Sequence, residues 1–178
     1  MFIPIRADAT VYYRAWATFV IVAANLVLFF LYNPANHVEL LVLEFGTLKP
    51  WQWITGTFTH ADILHVGVNM LFLFWFGQIV EGLIGTFRFL GIYLGMAAAA
   101  GLVTQILMLG ADEGGAIGAS GVIYGLMVIA MVLTPTTRVS VLWWFYSASR
   151  VIEMPIRTLA ATYLALNLIV AALFGFGM

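Results

Sequence analysis

Five long apolar stretches dominate this sequence and limit the folds that it can adopt. Hydrophobic residues make up 63% of the 178 residues and charged residues only 8%, whereas about a quarter of a soluble domain is charged. A helix needs roughly 17 to 25 mostly apolar residues to cross the hydrocarbon layer of a membrane. The sequence therefore predicts an all-α integral membrane protein, a helical bundle in which residues 1–178 form a single domain. Its predicted transmembrane spans are about 16–32, 60–80, 89–109, 116–133 and 158–174.

The composition also excludes several classes of function. The sequence contains no cysteine, so it can form neither disulfides nor thiolate metal sites. Its formal net charge of −1 at pH 7 lacks the basic excess that is typical of nucleic-acid-binding proteins. No small-residue cleavage site follows the first apolar stretch, which favours a retained helix over a cleaved signal peptide. We expect no cofactor, no metal and no nucleic-acid partner, and we expect membrane lipid around the chain.

Local signals predict where some helices begin and how they pack. Thr59 and Asp62 have the spacing of a capping box, which places the start of the second helix at Thr59. Gly91 and Gly95 form a Gly-x-x-x-Gly pair, which allows a neighbouring backbone to approach closely. Residues 136–157, between the last two apolar stretches, are predicted to form a loop, part of which lies along the membrane interface.

The basic residues indicate the orientation of the predicted spans. With the amino terminus inside, six of the seven basic residues fall on the cytoplasmic side and Lys49 falls outside. The six are Arg6, Arg14, Arg88, Arg138, Arg150 and Arg157. This bias predicts a protein of the bacterial-type inner (plasma) membrane with a cytoplasmic amino terminus. The second and fourth spans then both enter from the outer face, so their first turns lie at matching depth.

Polar residues near the outer ends of these two spans are candidates for a functional site. His65 and Asn69 are four residues apart and therefore share one face of the second predicted helix. Ser120 lies less than two turns inside the fourth span. Polar residues within a membrane are costly and mark functional sites by default. The alternatives are a serine that only packs among small residues, and histidines, His60 and His65, that only lie at the interface.

The candidates belong to a longer series of residues that runs through most of the chain. The series is Trp51, Thr55, Phe58, His60, His65, Asn69, Glu81, Gly85, Arg88, the run Gly118-Ala119-Ser120-Gly121, and Tyr124. In order and spacing it resembles the rhomboid family of intramembrane serine proteases. The resemblance implies a six-helix core whose active site opens to the outer side through a first loop that dips into the membrane. It also implies hydrolysis of peptide bonds in transmembrane substrates by a serine–histidine dyad.

The resemblance gives each central candidate a role. Ser120 would be the nucleophile, which needs an adjacent base to attack at neutral pH. His65 and Asn69, together with the Ser120 backbone N–H, would hold the oxyanion. Gly118 and Gly121 would let the backbone and the substrate come close.

Two further residues are expected to support this site. Tyr124, one turn after Ser120, would be the ring against which the family's catalytic histidine packs. His60 is the second of these supporting residues.

The sequence departs from the family at the catalytic histidine itself. In the family that histidine lies on the sixth helix, whereas the histidines here are His37, His60 and His65 and only five spans are predicted. Gln52 is a second departure, because the family's first loop commonly has Trp-Arg at this point. The anchoring of that loop is therefore left open by the sequence.

These observations leave two functions. The first is a rhomboid-type serine endopeptidase that cleaves transmembrane-helix substrates near the outer face of the membrane. Because the dyad histidine is missing from these 178 residues, we expect this form to be weak or inactive. The second is a catalytically inactive rhomboid-like protein that binds transmembrane segments. An ion or solute carrier is disfavoured, because neither a midplane acid–base pair nor a repeat is visible, and the sequence predicts no oligomeric state.

Overall fold

The computed structural model describes residues 2–31, 40–111, 114–145 and 148–174, and helices make up most of them. The long helices lie within a few residues of the five predicted spans. The helices are α1 (Trp16–Leu31), α2 (Gln52–Thr55), α3 (Ile63–Ile84), α4 (Thr86–Leu107), α5 (Ser120–Leu133) and α6 (Ile156–Phe174), with a short 3₁₀ helix at Gly56–Phe58.

Five transmembrane helices are not confirmed. Among the described residues, α3 and α4, with 22 residues each, are the two helices long and apolar enough to cross a membrane. The apolar helices α1 and α5 have 16 and 14 residues. α5 is shorter than predicted because residues 115–116 form a strand and Gly118, with φ of +102°, lies outside the helical range.

The structure also contains β-strands, which corrects the all-α prediction. The sequence predicts a loop at residues 136–157, but most of this segment forms an antiparallel hairpin. In its first strand Val139 and Val141 are buried while Arg138 is exposed, and this alternation of β-branched residues favours a strand. The strands are β1 (Phe2–Ala7), β2 (Leu43–Glu44), β3 (Gly115–Ala116), β4 (Arg138–Phe145) and β5 (Ala148–Pro155). They form an antiparallel sheet of order β1-β4-β5 and a two-stranded ladder of β2 and β3.

The described residues fall into two compact units. One unit consists of the described parts of 1–10 and 127–178, and the other consists of those of 11–126. The three-stranded sheet belongs to the first unit, and α1, α3, α4 and the predicted site residues belong to the second. The single domain that the sequence predicts stays a prediction.

In the second unit, the buried carboxylate of Glu81 fixes the start of α1. It accepts hydrogen bonds from the backbone N–H groups of Ala17 (2.9 Å) and Thr18 (2.8 Å), and from the hydroxyls of Thr18 (2.8 Å) and Thr86 (2.7 Å). The first N–H groups of a helix have no partner within it, and a negative charge suits the positive end of the helix dipole. Glu81 thereby ties α1 to the junction of α3 and α4.

Close approach to α4 occurs at a different glycine from the predicted pair. Around Gly91 and Gly95, no atom of the described residues lies within 4 Å of the position of an added Cβ, so the close contact expected there is not found among them. At Gly101 an added Cβ would lie 2.5 Å from the Cα of Trp53. α4 therefore packs directly against the backbone of α2 through Gly101.

Candidate active site

The first turn of α3 is set by Asp62, which caps the helix and thereby places His65. The Asp62 carboxylate accepts hydrogen bonds from the N–H groups of Leu64 and His65, both at 2.8 Å. The sequence predicts the helix start at Thr59, and this is wrong, because α3 begins one residue after Asp62. Thr59 instead donates its hydroxyl to the carbonyl of Gly56 at 2.9 Å. The acidic residue itself makes the cap, since an aspartate at this position satisfies two of the free N–H groups.

His65 and Asn69 reach the same point of the backbone at Gly118. A Cβ added to Gly118 would lie 2.8 Å from His65 Nε2 and 3.2 Å from Asn69 Nδ2. One face of α3 therefore meets the segment that leads into Ser120, which follows Gly118 by two residues.

Both of these nitrogens are hydrogen-bond donors. Asn69 is only 3% exposed, and its Nδ2 has no hydrogen-bond partner within the described part of the chain. His65 Nδ1 accepts a long hydrogen bond from the Ala61 N–H (3.5 Å), which favours the neutral tautomer with its proton on Nε2. Two N–H donors therefore face the space beside Gly118, where they can bind an oxygen atom.

Gly118 has the backbone conformation that keeps this space open. Its φ of +102° is rare for residues with a side chain, and any side chain would occupy the space in front of His65 and Asn69. The Gly118 N–H donates to the Gly56 carbonyl at 2.9 Å. Gly118 is thus held by a backbone bond on one side and faces the two donors on the other.

The first loop, defined here as residues 40–58, holds the chain just before Gly118. Leu43 pairs with Ala116 and Glu44 pairs with Gly115 in the β2–β3 ladder. A further backbone bond extends this ladder, from the N–H of Phe45 to the carbonyl at position 114 (3.0 Å). The segment 114–118 is therefore fixed by backbone hydrogen bonds to the first loop at both of its ends.

Ser120 is the first residue of α5 and is half-buried. It lines a cavity of about 170 Å³ between the first loop, α4 and the start of α5. Polar or small residues make up much of the lining, including Gln52, Thr57, Gly101, Thr104, Gly118 and Gly121. The nucleophile predicted from the sequence therefore borders a cavity that reaches the Gly118 backbone.

His60 lies against His65. The two rings meet edge to face, with centroids 5.1 Å apart. His60 is 4% exposed, and neither ring nitrogen has a hydrogen-bond partner among the described residues. Burial, and to a lesser degree the neighbouring His65 ring, lowers the pKa of His60 to about 4, so this ring is neutral at pH 7. No group of three or more His, Asp or Glu side chains in the described segments is placed to hold a metal ion.

The two remaining predicted residues lie on the first turns of α5. Tyr124 is half-buried and follows Ser120 by one helical turn. Gly121 is exposed, and a Cβ there would lie 3.1 Å from the Cβ of Ala100 on α4. Gly121 therefore allows close packing of α5 against α4.

Two glutamines organise the first loop: Gln52, noted in the sequence as a departure from the family, and Gln105, which the sequence did not single out. Gln52 is fully buried, and its Oε1 accepts a hydrogen bond from the Glu44 N–H at 3.1 Å. The Gln105 side chain donates to the carbonyls of Glu44 and Thr47, both at 3.1 Å, and accepts from the Trp53 indole N–H at 3.4 Å. The signal for Gln105 was its position as a polar residue near the end of the third apolar stretch. Gln52 anchors the loop through its bond to Glu44, at the position where the sequence departs from the family.

Comparisons with known proteins identify the family. The sequence model of the rhomboid domain matches residues 47–178. Rhomboid-like protein 11, chloroplastic, of Arabidopsis thaliana is 34% identical over 83 residues, which are 47% of this chain and 29% of that protein. Rhomboid protease GlpG of Yersinia pestis is 34% identical over 80 residues, 45% of this chain and 27% of that protein, and the same protein of Yersinia pseudotuberculosis matches equally.

The alignment with each of these curated relatives covers less than a third of the relative's length. The domain match, in contrast, covers most of this chain, including residues 47–58 of the first loop, His65, Asn69, Gly118 and Ser120. It ties the geometry around Gly118 to a named domain, and this chain therefore belongs to the rhomboid family.

Proposed function

We propose that this protein is a rhomboid-type serine endopeptidase with Ser120 as its nucleophile, acting on transmembrane-helix substrates near the outer face of the membrane. The observation that carries the proposal is the meeting of two free N–H donors, His65 Nε2 and Asn69 Nδ2, in the space beside Gly118. A buried amide donor without a partner is unfavourable unless a ligand atom completes it. The oxygen of a substrate carbonyl is such an atom.

In the proposed reaction, Ser120 gives its proton to water and its Oγ attacks the carbonyl carbon of the scissile peptide bond. The carbonyl oxygen becomes an oxyanion and accepts hydrogen bonds from His65, Asn69 and the Ser120 backbone N–H. That N–H lies at the start of α5, where backbone donors have no partner within the helix and the helix dipole favours negative charge. Donors fixed in advance in a site of low dielectric constant stabilise this charge more than water does. The C–N bond then breaks as the amine leaves with a proton from water, and a water molecule hydrolyses the resulting ester to restore Ser120.

Activation of Ser120 is the slow step of the proposed reaction. In the tautomer that the Ala61 bond favours, His65 Nε2 can donate to an oxyanion but cannot accept the proton of Ser120. His60 packs against His65, and its low pKa makes it a weak base. General-base catalysis contributes roughly 10² to 10⁴-fold in rate, so we expect the 178-residue chain to react slowly.

The membrane setting of the proposal rests on α3 and α4, the two described helices that are long and apolar enough to cross a membrane. Their partners in this setting are lipid and the transmembrane segments of substrate proteins. We propose further that the amino terminus is cytoplasmic and that the membrane is a bacterial-type inner membrane, as the distribution of basic residues predicts.

The second candidate function is a non-catalytic rhomboid-like protein that binds transmembrane segments. The state of His65 favours it, because the imidazole that lies beside Gly118 is a donor and not a base. Such a protein would use the site beside Gly118 to bind a carbonyl of its partner without cleaving it.

Labelling with a fluorophosphonate, which phosphonylates activated serines, tests the proposal in reconstituted membranes. We expect slow labelling that disappears in Ser120→Ala. Loss of one oxyanion donor lowers kcat by about 10²–10³-fold in serine proteases, so Asn69→Ala should bring labelling to background. Asn25→Ala is the matched control, because it removes a buried amide from α1, and its labelling should stay at the parent rate.

Labelling that survives Ser120→Ala, or that is equal in Asn69→Ala and the parent, would show that the assignment is wrong. A folded chain that binds transmembrane peptides but shows no labelling over days would establish the second function instead.

A further inference from the structure

A helix side chain, Gln105, fixes the first loop through all of its polar atoms. Its Nε2 donates to the carbonyls of Glu44 and Thr47, and its Oε1 accepts from the Trp53 indole N–H. Gln105 is only 5% exposed, so these contacts are made away from solvent. A buried amide in an apolar helix is stable only with such partners, and here all three belong to the first loop.

A second observation places the same loop on the same face of α4. Gly101 lies one helical turn before Gln105, and a Cβ there would lie 2.5 Å from the Cα of Trp53. Gly101 therefore supplies the space for the Trp53 backbone, and Gln105 supplies the acceptor for its indole. Together Gly101 and Gln105 hold Trp53 of the first loop against α4.

Backbone hydrogen bonds connect the first loop to the segment that precedes Ser120. Glu44, whose carbonyl is bonded to Gln105, pairs with Gly115 in the β2–β3 ladder. Gly56, which follows Trp53 by three residues, accepts the N–H of Gly118. The backbone of the first loop therefore connects the Gln105 hydrogen bonds to the β2–β3 ladder and to the bond between Gly56 and Gly118.

We propose that Gln105 is a positioning residue for Ser120: by holding the first loop on α4, it keeps Gly118 in the conformation that leaves the space beside His65 and Asn69 open. The inference rests on the proposed function for its effect on reactivity. Its effect on the backbone does not depend on that function. The alternative is that Gln105 contributes only to the general stability of the fold, as any buried hydrogen-bonded amide does.

Hydrogen exchange separates these two roles without any need for activity. Gln105→Leu removes the three bonds and keeps a similar size, and we expect exchange across residues 114–121 to accelerate by at least about tenfold through local opening. Asn25→Leu is the matched control, since it removes a buried amide from α1 whose Nδ2 donates to the Ile21 carbonyl of the same helix. The control should leave exchange across 114–121 unchanged once both variants are compared at equal global stability.

Reactivity gives the second readout. Ser120-dependent fluorophosphonate labelling should be about 10- to 100-fold slower in Gln105→Leu, because small displacements of a reacting group have effects of this size, and unchanged in Asn25→Leu. If Gln105→Leu does not fold, Trp53→Phe serves in its place, since it removes only the indole N–H and should produce a smaller acceleration of exchange in the same segment.

Exchange across 114–121 that is equal in Gln105→Leu and Asn25→Leu would overturn the inference, whatever the labelling shows. Accelerated exchange with no Ser120-dependent labelling in the parent would support the positioning of Gly118 and reject the proposed function instead. The two failures are thus distinguishable.

Discussion

Replacing Glu81 by glutamine should destabilise the protein strongly, although the two side chains have almost the same shape. Each carboxylate oxygen accepts two hydrogen bonds, one from a backbone N–H at the start of α1 and one from a threonine hydroxyl. In Glu81→Gln one oxygen becomes an NH₂ group, which cannot accept. The hydroxyl can rotate and accept a bond from the new NH₂, but the backbone N–H of Ala17 or Thr18 is left facing another donor.

The size of the effect follows from these bonds. A hydrogen bond to a charged group contributes about 1.5–3 kcal/mol, and leaving a buried donor unpaired costs about 1–3 kcal/mol. We therefore expect Glu81→Gln to lower the free energy of unfolding by about 2–5 kcal/mol. Thr86→Val removes a single bond from the same carboxylate and should lower it by about 1–2 kcal/mol.

The measurement is a titration of the purified protein from mild detergent into SDS, followed by tryptophan fluorescence, for which the chain has six tryptophans. Glu153→Gln serves as the control, because Glu153 is an exposed carboxylate that lies 3.9 Å from Arg138, and such surface pairs change stability by less than about 1 kcal/mol. An unfolding midpoint for Glu81→Gln equal to that of Glu153→Gln would refute the idea that the carboxylate caps α1.

Three further outcomes are expected. Gly77→Ala should lower the free energy of unfolding by about 1–3 kcal/mol, because its Cβ would lie 2.8 Å from two atoms of Thr18. Gly67→Ala on the same helix meets no atom of the described residues within 4 Å, so it should be neutral or stabilising by up to about 1 kcal/mol. Equal unfolding midpoints for the two variants would contradict this. Because burial lowers the pKa of His60 to about 4, against 6.5 for an unperturbed histidine, the unfolded chain binds a proton between these values that the folded chain does not. Stability should thus be full above about pH 6.5 and fall as the pH drops towards 4, and His60→Gln should flatten this slope; a parent and variant with parallel pH curves would count against the buried neutral ring. Cysteine introduced as Arg150→Cys, in a chain with no native cysteine, should be labelled by an impermeant thiol reagent only from the cytoplasmic side, and labelling from outside would reverse the proposed topology.

The sequence alone determined the family of the protein and the approximate position of each long helix. The length and apolar composition of a stretch indicate that it is buried or contacts lipid. The long helices could therefore be located without any knowledge of their neighbours. The four-residue spacing of His65 and Asn69 likewise placed them on one face of a helix, because helix periodicity is a local property. Their chemical roles, and that of Ser120, stay predictions.

Only the tertiary structure decided the features that depend on distant partners. The strand at residues 138–145 forms through pairing with β1 and β5, and a loop prediction based on local signals missed that pairing. Gly91 and Gly95 have the spacing of a packing pair, yet it is Gly101 that meets a neighbour, because a small residue matters only where another backbone arrives.

The candidate site shows the same division. The sequence presented His65, Asn69, Gly118 and Ser120 as separate motifs, but it could not show that two donors meet beside Gly118 or that Gln105 holds the loop that keeps Gly118 in place. Hydrogen bonds between residues far apart in the chain leave no periodic trace in the sequence, since each depends on how the helices and the loop pack. For this reason the residue types of the site could be read from the sequence, whereas their arrangement required the fold.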